Sequence, residues 1–274
     1  MNGIGQWTLV SYLIDKLDAA GTTTATLLTL GGVLLCIVIP YLLGSVNFGL
    51  IISNKKFHDD IRTHGSGNAG TTNMLRTYGK RAAVLTLLGD MLKAVIAVAF
   101  GYFMVGTNIV VTEEATNVTY HYVDQFGAAI AGFFVMMGHM FPIFFKFKGG
   151  KGVATSAVVI LMISPITCLF CFLIFVIIVV GTRFVSLGSV MGLIFYPILL
   201  KAFSGEQNPT ACILSVFMAI AVVFMHRENL KRLSQGTEHK LTFKKKKPAE
   251  GTAEGTAEGT TEGPTGGPTN GQAK

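Results

Sequence analysis

The sequence predicts an all-α integral membrane protein: a seven-transmembrane-helix bundle, N-terminus out and C-terminus in, with its polar residues gathered at the cytoplasmic face. Three observations predict this. Half of the 274 residues are hydrophobic and only 14% are charged, where a soluble domain carries about 25% charged residues. The apolar residues fall in long blocks, each near the roughly 20 residues that cross a bilayer core. Lys and Arg concentrate in alternate connections between those blocks, as the positive-inside rule requires.

Residues 1–25 open the chain. Ile4, Trp7, Val10, Ile14 and Leu17 recur at helical spacing between polar residues, which predicts an amphipathic helix lying in the interface. The segment lacks the basic and apolar regions of a signal peptide. Apolar blocks follow over 27–52, 82–105, 126–145, 153–180, 184–203 and 209–226.

The connections carry the topology. Lys55, Lys56, Arg62, Arg76, Lys80 and Arg81 place the first one inside. Glu113, Glu114 and Asp124, without Lys or Arg, place the loop 106–125 outside. Lys146, Lys148 and Lys151 return the chain to the inside. Block 153–180 is long for one span and has Ser164–Pro165 near its middle, where proline interrupts a helix. Read as one span, it would put the basic C-terminal end outside. Read as two short helices, it keeps Arg183, Arg227, Lys231, Arg232 and Lys244–Lys247 inside, and the total becomes seven. The domain thus runs over 26–240. Residues 241–274, a basic run and then an Ala/Glu/Gly/Thr repeat, have no large apolar residue after Pro248 and form a disordered tail.

The net charge of +7 fits positive-inside loops and contact with anionic lipid, not nucleic-acid binding. Cys36, Cys168, Cys171 and Cys212 all lie in apolar blocks and have no His or second cysteine pair beside them. They are expected to be small buried hydrophobes, with no metal site and no cofactor.

In such a protein the informative residues are polar ones that membrane burial does not explain. Three clusters stand out, all on the predicted cytoplasmic side. In His64–Arg76, Gly65, Gly67 and Gly70 let backbone amides turn towards a ligand. Ser66, Asn68, Thr71, Thr72 and Asn73 supply donors there, and Arg76 supplies a fork for phosphate. In Gly138–Thr155, Gly149-Gly150-Lys151-Gly152 at the mouth of a helix suits an anion, although the spacing is not that of a Walker A loop. In His226–Glu238, a continued final helix would put His226, Asn229 and Arg232–Leu233 on one face. A smaller patch, Arg183–Leu187, includes Ser186. Each cluster alone has a bland reading as a solvated loop or helix end. Together they suggest a substrate or substrates with more than one phosphate, and the apolar bundle suggests that one of these is a lipid.

With these motifs in view, the chain resembles the bacterial acyl-phosphate:glycerol-3-phosphate acyltransferase family (PlsY) over about residues 30–240. GSGNAGTTNMLR, GHMFPIFFKFKGGKGVAT and HRENLKRLSQGTE match that family's three motifs in order, and YLLGSVNFG and RFVSLGS look like further family segments. Thr71 stands where alanine is common and Asn47 where proline is common.

The resemblance implies a seven-span fold and transfer of a fatty acyl group from acyl phosphate to the 1-hydroxyl of glycerol 3-phosphate. It implies membrane lipid and the two substrates as partners, no cofactor, and the cytoplasmic (inner) membrane of a bacterium; the chain is expected to be monomeric. An acyl phosphate is already activated, so the protein has only to position two anions, stabilise an oxyanion and manage one proton. On this reading Ser66, Asn68, Thr72 and Arg76, helped by Ser186, hold the acyl phosphate. Gly149, Gly150, Lys151 and Gly152, with charge from Arg183, hold glycerol 3-phosphate. His226 and Asn229 orient the reacting groups, and Glu238 braces the third motif. The proton acceptor is either His226 or a substrate phosphate oxygen.

Two other classes compete. A transporter of phosphorylated solutes would place its polar site near mid-membrane and show an internal repeat. A CDP-alcohol phosphotransferase would need an Asp-rich metal motif, and a peripheral acyltransferase a His-x-x-x-x-Asp signature. None of these is visible.

Overall fold

The computed structural model describes residues 8–17, 23–105, 108–113, 118–123, 125–204 and 208–241. The expected repeat tail, and Ile4 and Trp7 of the expected interfacial helix, lie outside the described residues.

The remaining part of that first helix, α1 (Leu9–Lys16), is capped by the Thr8 side chain, which accepts from the Ser11 amide. Val10 and Ile14 pack against Cys36, Val105 and Ile130 of the bundle. The long α2 (Thr23–Ser45) and α3 (Phe48–Phe57) follow in one continuous apolar stretch, broken where Asn47 caps α3 by accepting from the Leu50 amide. A short 3-10 turn (Ile61–Thr63) and the helix α4 (Thr71–Tyr78) lead into α5 (Lys80–Met104).

The expected external loop contains an element that an all-α reading omits. Its described backbone forms an antiparallel hairpin of β1 (Asn108–Glu113) and β2 (Val118–Val123), with Asn108 opposite Val123 and Glu113 opposite Val118. Both segments are runs of β-branched and aromatic residues, which favour a pleated strand over a coil.

The second half is helical: α6 (Phe126–Met140), a 3-10 turn (Ile143–Phe145), α7 (Val153–Ile163), α8 (Pro165–Thr182), α9 (Val185–Ser204), α10 (Pro209–Met225) and α11 (Arg227–Ser234). The break between α7 and α8 falls at Ser164, whose hydroxyl caps α8 while Pro165 takes its first position, where a missing amide costs nothing. The two helices fold back on each other, with Cys168 Sγ donating to the Ala157 carbonyl at 3.6 Å. The chain therefore enters this pair at Gly152 and leaves it at Arg183 beside the same polar cluster, as the contacts described below show.

Among the described residues, five helical stretches are long and apolar enough to cross a membrane, or six if α10 and α11, bent by 56°, form one span. At 11 residues, α7 reaches only about 16 Å at 1.5 Å per residue. The core gathers α5, α6, α7, α9 and α10 around Val98, Val135, Met136, Val159, Tyr196, Met218 and Val222, all buried. The outer surface is apolar too: Ile177 and Val180 on α8 are 69% and 75% exposed. A water-soluble protein does not build such a surface, but lipid is its natural solvent. Small residues set the closest helix contacts. A Cβ on Gly44 of α2 would strike the Val135 backbone of α6, and one on Gly138 would strike the Tyr41 carbonyl. Close backbone approach through small residues is how helices associate where no hydrophobic drive separates them from lipid.

Candidate active site

The first cluster is a loop wound around one buried amide. Gly65 and Gly67 take left-handed φ values of 55° and 68°, which glycine adopts without steric cost. These turns bring three carbonyls, of Ile61, His64 and Asn68, within 2.9–3.1 Å of Asn73 Nδ2, while Asn73 Oδ1 accepts from the Ser66 amide at 3.1 Å. Asn73, read from sequence as a ligand donor, is thus the hub that holds the loop. Asn68 Oδ1 accepts from the Gly70 amide at 2.9 Å, closing a turn just before α4, which leaves its amide nitrogen as the group able to donate to a ligand. Thr72 and Arg76 lie on α4, exposed.

The second cluster departs from the expected cradle of free amides. Gly149 donates to the Met140 carbonyl and Gly150 to the His139 carbonyl, both at 3.1 Å. Two of the loop's amides therefore satisfy the C-terminal end of α6 and do not face a ligand. Gly152 turns the chain into α7 with φ 79°, and Lys151 is the loop's anion-seeking group.

The third cluster bends. His226 closes α10, and α11 leaves at 56°, so the expected single straight face does not form. His226 is buried and its Nδ1 lies 2.8 Å from the Val222 carbonyl. That carbonyl can only accept, so Nδ1 carries the proton and Nε2 keeps its lone pair. Beyond α11, Gly236 donates to the Leu233 carbonyl and Thr237 to the Arg232 carbonyl. This paired closure of a helix end throws Glu238 back over the helix. Its carboxylate accepts from Asn229 Nδ2 at 2.7 Å, Arg232 Nε at 2.8 Å and Ser186 Oγ at 2.8 Å.

These contacts join the clusters. Lys151 Nζ donates to Asn229 Oδ1. Glu238 then links Asn229 to Ser186 on α9, and the Leu241 amide donates to the Arg183 carbonyl at 2.8 Å. A cavity of about 630 Å³ opens here, lined among others by Ser66, Asn68, Gly149, Lys151, Asn229 and Arg232. Met140, Phe141, Phe147, Phe224 and Met225 supply its apolar lining. Of the other expected site residues, Ser186, Glu238 and His226 stand behind the lining, Gly150 and Gly152 are buried, and Thr72, Arg76 and Arg183 are exposed outside it. Arg183 holds its place through its backbone.

Sequence reasoning missed Arg62, having counted it only as a topology charge. Its guanidinium clasps Asp60 at 2.7–3.1 Å and donates to the carbonyls of Phe145 and Lys148 at 3.1 and 3.3 Å, tying the first cluster to the second. The Asp-x-Arg pattern just before the first motif was the only available signal.

Burial and charge tune the site. Burial pushes the Lys151 ammonium down to about 8; Glu238 opposes this, and Arg232 and Arg76 add to it. Burial alone would raise Glu238, but hydrogen bonds from Asn229, Ser186 and Arg232 outweigh it and hold the carboxyl below its ordinary range. At neutral pH the site therefore combines an ionised and fully engaged carboxylate with several cations and an apolar lining. Such a site can bind a phosphorylated ligand with an apolar part and stabilise negative charge.

A family model described as glycerol-3-phosphate acyltransferase matches residues 34–236. The glycerol-3-phosphate acyltransferase of Clostridioides difficile (strain 630) is 39% identical over 211 residues, covering 76% of this chain and 95% of its own. That of Halalkalibacterium halodurans is 42% identical over 213 residues, covering 77% and 96%. The crystal structure of PlsY (YgiH), an integral membrane glycerol 3-phosphate acyltransferase in its glycerol 3-phosphate form, aligns with a TM-score of 0.63 at 35% identity, over 77% of this chain and 96% of that one. Its lysophosphatidic acid form aligns with a TM-score of 0.62 at 32% identity, over 77% and 95%. With its three motifs gathered at one cavity and its length matched across these relatives, the chain belongs to the glycerol-3-phosphate acyltransferase family.

Proposed function

We propose that this chain transfers a fatty acyl group from acyl phosphate to the 1-hydroxyl of glycerol 3-phosphate, releasing lysophosphatidic acid and inorganic phosphate. The observation that carries the reading is the meeting of Lys151 with Asn229 at a cavity lined by both cationic and apolar side chains. The relatives solved with glycerol 3-phosphate and with lysophosphatidic acid support the acceptor and the product.

Residues 26–240 form the acyltransferase domain. Counting α7 as a short pass beside the six longer ones gives seven spans, with the N-terminus out, the C-terminus in and the site facing the cytoplasm from the inner membrane. The chain acts as a monomer. Lys151, with the Gly149–Gly152 turn, takes the acceptor phosphate, and Arg183 adds to the positive field. Ser66, Asn68, Thr72 and Arg76, with Ser186 behind them, take the donor phosphate, and the Phe141–Phe147–Phe224 side receives the acyl chain. His226, neutral and with Nε2 unprotonated, orients the acceptor hydroxyl, and Asn229 the reacting carbonyl. The hydroxyl oxygen forms the ester bond to the acyl carbon, phosphate leaves with the bonding pair, and the hydroxyl proton passes to His226 Nε2 or to a phosphate oxygen. Because the donor is a mixed anhydride, no covalent enzyme intermediate is required.

The test is acyl transfer by the purified protein in vesicles, with palmitoyl phosphate and labelled glycerol 3-phosphate, and palmitoyl-CoA in a parallel sample. Lysophosphatidic acid from acyl phosphate alone supports the reading. Product only from the thioester overturns the donor, and no product from either overturns the function.

A further inference from the structure

Beneath the cavity, three ionisable side chains are enclosed in the bundle and take no part in the chemistry above. Asp90 and Lys93 on α5 and His139 on α6 are 2%, 4% and 5% exposed. Lys93 Nζ donates to the carbonyls of Gly44 at 2.9 Å and Val46 at 2.7 Å, lies 2.8 Å from Asp90 Oδ1, and is 3.1 Å from His139 Nδ1. Asp90 Oδ1 also lies 3.5 Å from the same Nδ1, so the Nδ1 edge of the ring meets the Lys93–Asp90 pair and the opposite edge carries Nε2. That edge of the ring faces the glycine loop: a Cβ on Gly150 would land on His139 Nε2. The same residue's carbonyl holds the Gly150 amide at 3.1 Å.

One lysine therefore gathers two breaks in the fold. It satisfies carbonyls at the α2–α3 break, where the helical ladder ends, and it supports the imidazole against which the residue before Lys151 rests. Enclosing such a group carries a desolvation penalty, and ionisable residues kept within a membrane bundle mark function more often than stability. A leucine at position 93 would satisfy neither the carbonyls nor the imidazole.

We propose that Lys93, paired with Asp90, is a positioning residue for the acceptor phosphate, acting through His139 and Gly150 to fix Lys151. This rests on the acyl-transfer reading above. The test is steady-state kinetics of the full chain in vesicles, titrating glycerol 3-phosphate at saturating palmitoyl phosphate and the reverse. The variants are Lys93→Met and the double variant Asp90→Asn with Lys93→Met, which leaves no unpaired carboxylate.

Both are expected to raise the KM for glycerol 3-phosphate about tenfold or more, with kcat within about threefold and the KM for palmitoyl phosphate within about twofold. Lys93→Arg, which keeps the charge and the donors, is expected to recover the acceptor KM to within about threefold. A merely structural role gives the opposite pattern, because fewer folded molecules lower kcat and leave KM in place. Gly150→Ala presses a methyl onto the imidazole without removing a charge; an acceptor KM that stays in place in this variant overturns the coupling through His139 even where the Lys93 variants do not fold. An unmoved acceptor KM in an active, folded variant overturns the positioning role alone. A wild-type chain that makes no lysophosphatidic acid overturns the acyl-transfer reading, and the positioning role falls with it.

Discussion

Raising the pH through the titration of Lys151 probes the acceptor site without altering the chain. Burial pushes this ammonium from its ordinary 10.5 down to about 8. A group of that pKa is about nine-tenths protonated at pH 7, half at pH 8 and about one-tenth at pH 9. Because kcat/KM reports the free enzyme, kcat/KM for glycerol 3-phosphate should fall about tenfold between pH 7 and pH 9. Lys151→Met removes a charge-assisted hydrogen bond of about 1.5–3 kcal/mol, or about 10- to 150-fold in kcat/KM, mostly through KM, and should flatten this limb. Lys151→Arg stays charged throughout and should flatten it with a smaller loss.

Unfolding cannot imitate the effect through this residue. Between about pH 8 and 10.5 the unfolded lysine holds its proton while the folded one has lost it, so the unfolded state binds more protons and the contribution of Lys151 to stability rises with pH. The assay is initial-rate lysophosphatidic acid formation across pH 6.5–9.5, with thermal unfolding followed in the same buffers. A flat wild-type profile to pH 9, or an alkaline limb that persists in Lys151→Met, refutes the assignment.

Three further outcomes are expected. His226→Gln should lower kcat about a hundredfold if the imidazole takes the proton, and near-full turnover would remove it from that role in favour of a substrate phosphate oxygen. Glu238→Gln keeps the shape of the bridge but takes the charge from Arg232. A loss of about 1–2 kcal/mol should appear as a raised acceptor KM and a lowered Tm, and Glu238→Ala should be worse because Asn229 and Ser186 also lose their acceptor. Gly138→Val forces a branched side chain against the Tyr41 carbonyl of α2. It should lower the detergent Tm by more than Val135→Ala, which only opens a cavity of about 2 kcal/mol; an unchanged Tm would mean that α2 and α6 do not approach so closely.

By itself, the sequence determined the solvent, the helical class and the three polar motifs. Those properties are local: a run of apolar residues states the length of a span, and Ser164–Pro165 states a helix break, because each acts through its own backbone or immediate surroundings. Only the tertiary structure decided which motif residues face a ligand. Gly149 and Gly150 look like free amides along the chain, yet α6 takes both, and only packing brings those carbonyls to them. Asn73 looked like a ligand donor and is a buried hub, because left-handed turns at Gly65 and Gly67 collect distant carbonyls around it. The bend at His226, the return of Glu238 onto Asn229, and the pairing of Arg62 and Lys93 with carbonyls more than 40 positions away in the chain were equally hidden. The strands β1 and β2 follow from their β-branched and aromatic runs, which the charge pattern of the 106–125 loop does not report. What a residue is chemically can be read along the chain. What its hydrogen-bonding groups are spent on depends on neighbours that only the folded bundle supplies.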